Sequence, residues 1–222
     1  MIFDHKHPFY RARLDMSGDN KYNGAFYYSK EIIKNIIPLV KTDRNWITVN
    51  IPQNNLIPQF EPCGINHSIV FIHNNLHPEH YEWLSIYDDL ILVCGIPETV
   101  ENMSHLGNAI YLPLSIDVEE VQKHIRPKTK EVAFVGRKSK RKGIEFPPDV
   151  DIVEGLPRDE LLDVMAEYEN VYAVGRTAIE AKALGCQIIP YDERFPDASI
   201  WQVLDNKDAA QILQEKLNEI DE

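Results

Sequence analysis

Short apolar runs of strand length alternate along this chain with longer segments whose apolar residues recur at helical spacing, and that alternation leaves few folds open. "WITVNI", "HSIVFIHN", "DDLILVCG" and "NAIYLPL" read as strands. Between or before them, "NGAFYYSKEIIKNIIPLVK", with Ile32, Ile33, Ile36 and Ile37 on its apolar side, reads as a helix. So do "HPEHYEWLSIY", with Pro78 in its first turn, and "PETVENMSHLG", ended by Gly107. Strands that are apolar along their length, separated by helices, belong to βαβ units with a largely parallel sheet.

From Ser115 to Lys130 the chain turns polar and charged, with Pro127 as a stop. A second series then begins: the strand "EVAFVG", the basic turn "RKSKRKG", the strand "VDIVEG", the helix "RDELLDVMAEY", the strand "NVYAV", the helix "RTAIEAKALG", the strand "CQIIPY" and the helix "DAAQILQEKLNEI". The polar stretch places a domain boundary, giving domains of residues 1–120 and 121–222, with the last helix free to pack back across it. Two small α/β domains of this kind leave a cleft between them as the expected ligand site.

The 222 residues are 44% hydrophobic, enough to bury real cores, and carry a formal charge of −12. Such a charge repels phosphate backbones and anionic lipid, so nucleic acid is not the expected partner. Cys63, Cys94 and Cys186 show no CxxC spacing and fit a reducing compartment. The N-terminal "MIFDHKHPFYRARLDM" lacks the apolar core of a signal peptide, and no apolar run approaches the ~18 residues that cross a bilayer. The expected location is the cytoplasm.

Two stretches carry chemistry. In "VYAVGRTAIEAKALGCQIIPYD" a strand turns through Gly175, Arg176 and Thr177 into a helix, so backbone N–H groups and the positive dipole end face whatever lies above the sheet. Glu180, read as lying on the first turn, is placed to accept hydrogen bonds from sugar hydroxyls while the helix end holds an attached phosphate. The alternative is that Glu180 merely complements the dipole at an exposed first turn. In "FVGRKSKRKG", Arg137 and Lys142 follow a parallel strand, where a fork and a point charge suit a diphosphate. The surplus cations Lys138, Lys140 and Arg141 read as solvated loop.

In this order the segments resemble the GT-B glycosyltransferases, the group 1-like nucleotide-sugar enzymes built of two facing Rossmann-like domains, and the resemblance spans most of the chain. "VAFVGRKSKRKGIE" resembles the family's strand, Gly-Arg and Lys-Gly, implying that Arg137 and Lys142 contact the donor diphosphate. "RTAIEAKALGCQII" resembles the family's "L-x-E-A-x-A-x-G-x-P-V-I" segment, whose glutamate binds the ribose, implying that role for Glu180, with Gly175, Arg176 and Thr177 beside it. "IVFIHNNLHPEHYEWLSIYDDLILVCGIPETVENMSHLGNAIYLPLSID" is similar to the family's first-domain run, with His73 where its histidine stands and so in the catalytic position. "NKYNGAF" stands for the Gly-rich acceptor-side loop, implying Asn23 and Gly24. The first domain is then the acceptor side and the second the donor side.

The chain also departs from the pattern. Ala173, Val174 and Gly175 stand where the family has a second acidic turn, and Gly24 alone represents a Gly-Gly loop. His73, His77 and His80 lack the spacing of a closed zinc set, so neither a metal nor another cofactor is expected. The resemblance implies metal-independent sugar transfer from a nucleotide sugar, a UDP-sugar first, to an unidentified acceptor. An epimerase of related architecture, using acids such as Asp15, Asp19 or Glu79, and a nucleotide-sugar-binding protein without turnover are the alternatives.

Overall fold

The computed structural model describes residues 28, 31–49, 66–72, 78–136, 146–191, 193 and 195–221. Pro113 ends one compact unit and Leu114 opens a second, which runs to Asn206; from Lys207 onward the chain belongs to the first unit again.

The first unit holds a four-stranded sheet of β1 (Asn45–Val49), β2 (Ser68–Ile72), β3 (Leu90–Cys94) and β4 (Asn108–Tyr111), all parallel and in chain order. Every residue of β2 and of β3 is buried, which is why these segments are apolar throughout instead of alternating. Each fully buried Ile, Leu or Phe here contributes about 1.5–3 kcal/mol of transfer free energy. Gly107 begins the close approach of β4 to β3: a Cβ at that position would stand 2.8 Å from the Leu90 carbonyl oxygen.

The segment expected as one helix before β1 is, over its described part, a π-helical turn at Ile32–Ile36 followed by a 3-10 turn at Ile37–Leu39. The Ile37 N–H bonds back to the Ile32 carbonyl, and Pro38, lacking an N–H, cannot continue a regular ladder. Likewise "HPEHYEWLSIY" forms a 3-10 helix, Pro78–Ile86, and "PETVENMSHLG" the helix α1, Pro97–Met103.

In the second unit β5 (Lys130–Val135), β6 (Asp151–Val153), β7 (Tyr168–Tyr172) and β8 (Gln187–Ile189) are also all parallel, in the order β6-β5-β7-β8. Helices α2 (Val118–Gln122), α3 (Arg158–Met165) and α4 (Arg176–Ala183) belong to this unit. The polar stretch after Ser115 is therefore structured: the Asp117 carboxylate accepts from the Glu120 N–H and caps α2. Around Phe134, Val150 and Tyr191 the rings of Phe146, Tyr172 and Phe195 complete an aromatic core, with Phe134 and Phe146 centroids 4.6 Å apart. The last helix, α5 (Asn206–Asp221), buries Ala209, Ala210, Leu213 and Leu217. The chain is thus a mixed α/β protein with two Rossmann-like parallel sheets, and no described helix is long and apolar enough to cross a membrane.

Candidate functional site

In the first sheet each strand lies next to its predecessor, always on the same side. In the second the chain steps from β5 to β6 on one flank, then returns past β5 to place β7 on the other. The connections from β5 to β6 and from β7 to β8 therefore leave in opposite directions, which makes the carboxyl ends of β5 and β7 a topological switch point, the position where open α/β sheets bind ligands. β5 is followed by Gly136, the residue before the basic stretch in sequence, and β7 by the residues Ala173 to Gly175, which lead into α4.

The β7–α4 turn is built around Gly175, at φ +63° and ψ −138°, a conformation open to glycine and strained for a residue with a Cβ. Its carbonyl accepts from the N–H groups of Ala178 and Ile179, so α4 begins directly after it. The N–H groups of Gly175, Arg176 and Thr177 have no acceptor within the helix, and the positive end of its dipole lies at the carboxyl end of β7.

Glu180 is placed differently from either reading of the sequence. It is not on the first turn of α4, which holds no acidic residue, but on the second, facing inward and 3% exposed. Its Oε1 accepts from Arg176 Nε at 2.6 Å and from Arg158 Nη1. Arg176 lies one turn back on the same helix, while Arg158 is the first residue of α3. Burial alone would push the Glu180 carboxyl up; the two guanidiniums overcome it and hold the group below the usual carboxylate range. The idea that Glu180 complements the dipole at an exposed first turn is therefore overturned, because the side chain is inside and committed to two cations.

Gly175, Arg176, Thr177 and Glu180 are thus gathered by one strand-to-helix turn. His73, Arg137, Lys142, Asn23 and Gly24 lie outside the described residues, as does His77. Arg158 is the residue the sequence reading missed. A signal for it existed: "GLPRDE" puts a cation at the first position of a helix, where the dipole opposes it by about 0.3–1 kcal/mol. Arg176 breaks the same rule at the start of α4.

Opposite that end of the α3–α4 pair, Lys128 Nζ donates to the carbonyls of Ala166 and Leu184, each at 2.9 Å, and lies 3.1 Å from Cys186 Sγ. Ala166 and Leu184 are the residues that end α3 and α4, so one ammonium meets two negative helix ends. Burial raises the Cys186 thiol pKa despite that ammonium. In the first unit, burial pushes Cys94 up to about 12, which keeps it a thiol. Among the described residues no group of three or more His, Cys, Asp or Glu side chains is placed to hold a metal ion.

Comparison of the chain with protein-family models, with curated proteins and with solved structures gives no match in any of the three.

Proposed function

We propose that the second unit binds the diphosphate of a nucleotide sugar in the crevice between the carboxyl ends of β5 and β7, and that the chain is a metal-independent glycosyltransferase. The observation that carries this reading is the strand order β6-β5-β7-β8, which brings the strand preceding the basic turn and the strand preceding Gly175 side by side at a topological switch point. Two motifs 40 residues apart, each suited to an anion on sequence grounds, then serve one crevice (Gly175 against Val135).

In this reading the N–H groups at Gly175 to Thr177 and the cations Arg137 and Lys142 receive the diphosphate. As the glycosidic bond to the sugar breaks, the leaving group gains negative charge, and fixed donors aimed at it lower the barrier without a metal. His73 orients donor or acceptor hydroxyls, and Asn23 and Gly24 serve the acceptor, with the two units facing one another as acceptor and donor domains in a GT-B arrangement. UDP-sugars are the first donors to try and the cytoplasm is the proposed setting.

A thermal-shift panel of nucleotides and nucleotide sugars tests it. A ligand at 100 times its dissociation constant stabilises by about 2.7 kcal/mol, so UDP or a UDP-sugar is expected to raise the melting temperature clearly above buffer. A panel with no stabilising nucleotide would sink the proposal. Release of UDP from the sugar that binds distinguishes transfer or hydrolysis from binding without turnover.

A further inference from the structure

The geometry of the α3–α4 pair points to a different task for Glu180 from the one its family resemblance implies: we propose that Glu180 is a positioning residue that sets the guanidiniums of Arg158 and Arg176 for recognition of the diphosphate, and that Arg158 contacts that diphosphate. The inference rests on the nucleotide-sugar reading above and assigns roles within the same site.

Measured on the side chains alone, exposure falls in order from 18% for Arg158 to 9% for Arg176 and 4% for Glu180. Of the three, Arg158 is the most open to an incoming ligand and the carboxylate the least. A ribose hydroxyl would have to reach an acid that is inside the protein and whose Oε1 already accepts from both guanidiniums. Their placement is also against the helices' own interest, since each arginine is the first residue of its helix, where the dipole disfavours a cation. Local rules broken in the same way on two neighbouring helices, at the sheet edge where ligands bind, are the pattern of a functional site. Glu180 is what makes the placement tolerable: one buried carboxylate neutralises part of the charge and fixes both planar groups.

The roles separate in a three-probe experiment on the full chain, measuring affinities for UDP, uridine and inorganic pyrophosphate by calorimetry and ligand-observed NMR. If Glu180 positions the arginines, Glu180→Gln weakens UDP and pyrophosphate alike, by roughly tenfold to a hundredfold, and leaves uridine unchanged. Arg158→Leu does the same while keeping the Arg176–Glu180 pair, so it carries the test should Glu180→Gln fail to fold. A Glu180→Gln variant that loses uridine and keeps pyrophosphate would make Glu180 the ribose acceptor and overturn the inference while leaving the nucleotide site standing. UDP and pyrophosphate affinities unmoved in both variants would overturn it too, by reducing the triad to a structural ion pair. Wild-type protein that binds none of the three probes removes the nucleotide reading itself, and this inference with it.

Discussion

Glu180 and His67 are both held between partners of opposite charge, yet burial separates their consequences. Glu180 is inside, so removing its charge would leave two guanidiniums poorly solvated, the situation in which a broken buried pair typically costs about 3–5 kcal/mol. His67 is about half exposed in the first unit, with Nδ1 2.5 Å from Asp89 Oδ2 and Nε2 3.3 Å from Asp43 Oδ1. Its bond to Asp89 is the largest influence and raises its pKa, while slight burial and the nearby Arg44 guanidinium oppose the rise. A histidine whose folded pKa is raised adds stability that is complete below its ordinary value near 6.5 and is lost as pH climbs through the folded one. Urea titrations from about pH 6 to about pH 8 are expected to show that loss, and His67→Asn, which tolerates the left-handed backbone at φ 58°, is expected to flatten it. A wild-type profile that is level across this range would mean that solvent screens the contacts entirely.

At the scale of elements, α3 and α4 are tied to each other by charge at both ends, with the sign that suits the dipole only where the helices close. A carboxylate sits between the two arginines that open them, and the Lys128 ammonium sits between the two carbonyls that close them. Lys128 is half-buried, so its loss leaves acceptors that water reaches poorly. Lys128→Met is expected to destabilise the protein by about 1–3 kcal/mol in urea unfolding. Lys123→Met, which removes an exposed lysine paired with Glu120 on α2, is expected to leave the midpoint where it was. Equal effects from the two substitutions would show that the capping role of Lys128 carries no special weight. The same scale explains the turn before β1, where the Ile37 N–H reaches five residues back to Ile32 and the ladder tightens at Pro38.

At the scale of the whole molecule, the chain leaves the first unit at Pro113 and returns to it at Lys207, so a segment late in sequence completes a fold begun early. Gln214 accepts from the Lys41 N–H at 2.6 Å and donates to the Lys41 carbonyl at 3.2 Å. Asp221 takes a charge-assisted bond from Arg44 Nη2, at 3.2 Å. Arg44 also donates to the Asp89 carbonyl and carboxylate, so the end of α5 is tied to residues that precede both β1 and β3. Ending the chain after Asn206 is therefore expected to lower amide-exchange protection in β1 to β4 while β5, β7 and β8 keep theirs. Protection lost first in the second sheet would contradict this assignment of the helix.

The strands and the helices α1, α3, α4 and α5 were legible because burial along a short segment writes itself into residue type: the continuous apolar runs at Ser68–Ile72 and Leu90–Cys94 are strands buried on both faces, and α5 shows its apolar stripe plainly. So was the turn at Gly175, since the strand, the glycine and the helix follow one another directly in the chain. What the sequence could not determine by itself is anything that depends on which distant segments meet. Periodicity says that β5, β6 and β7 are strands, but only the assembled sheet decides that β5 lies between the other two and so creates a topological switch point. In sequence Glu180 looks open to a ligand or to solvent because its partner Arg158 stands 22 residues away on another helix, and a carboxylate goes inside only when such a partner is already there to offset its desolvation.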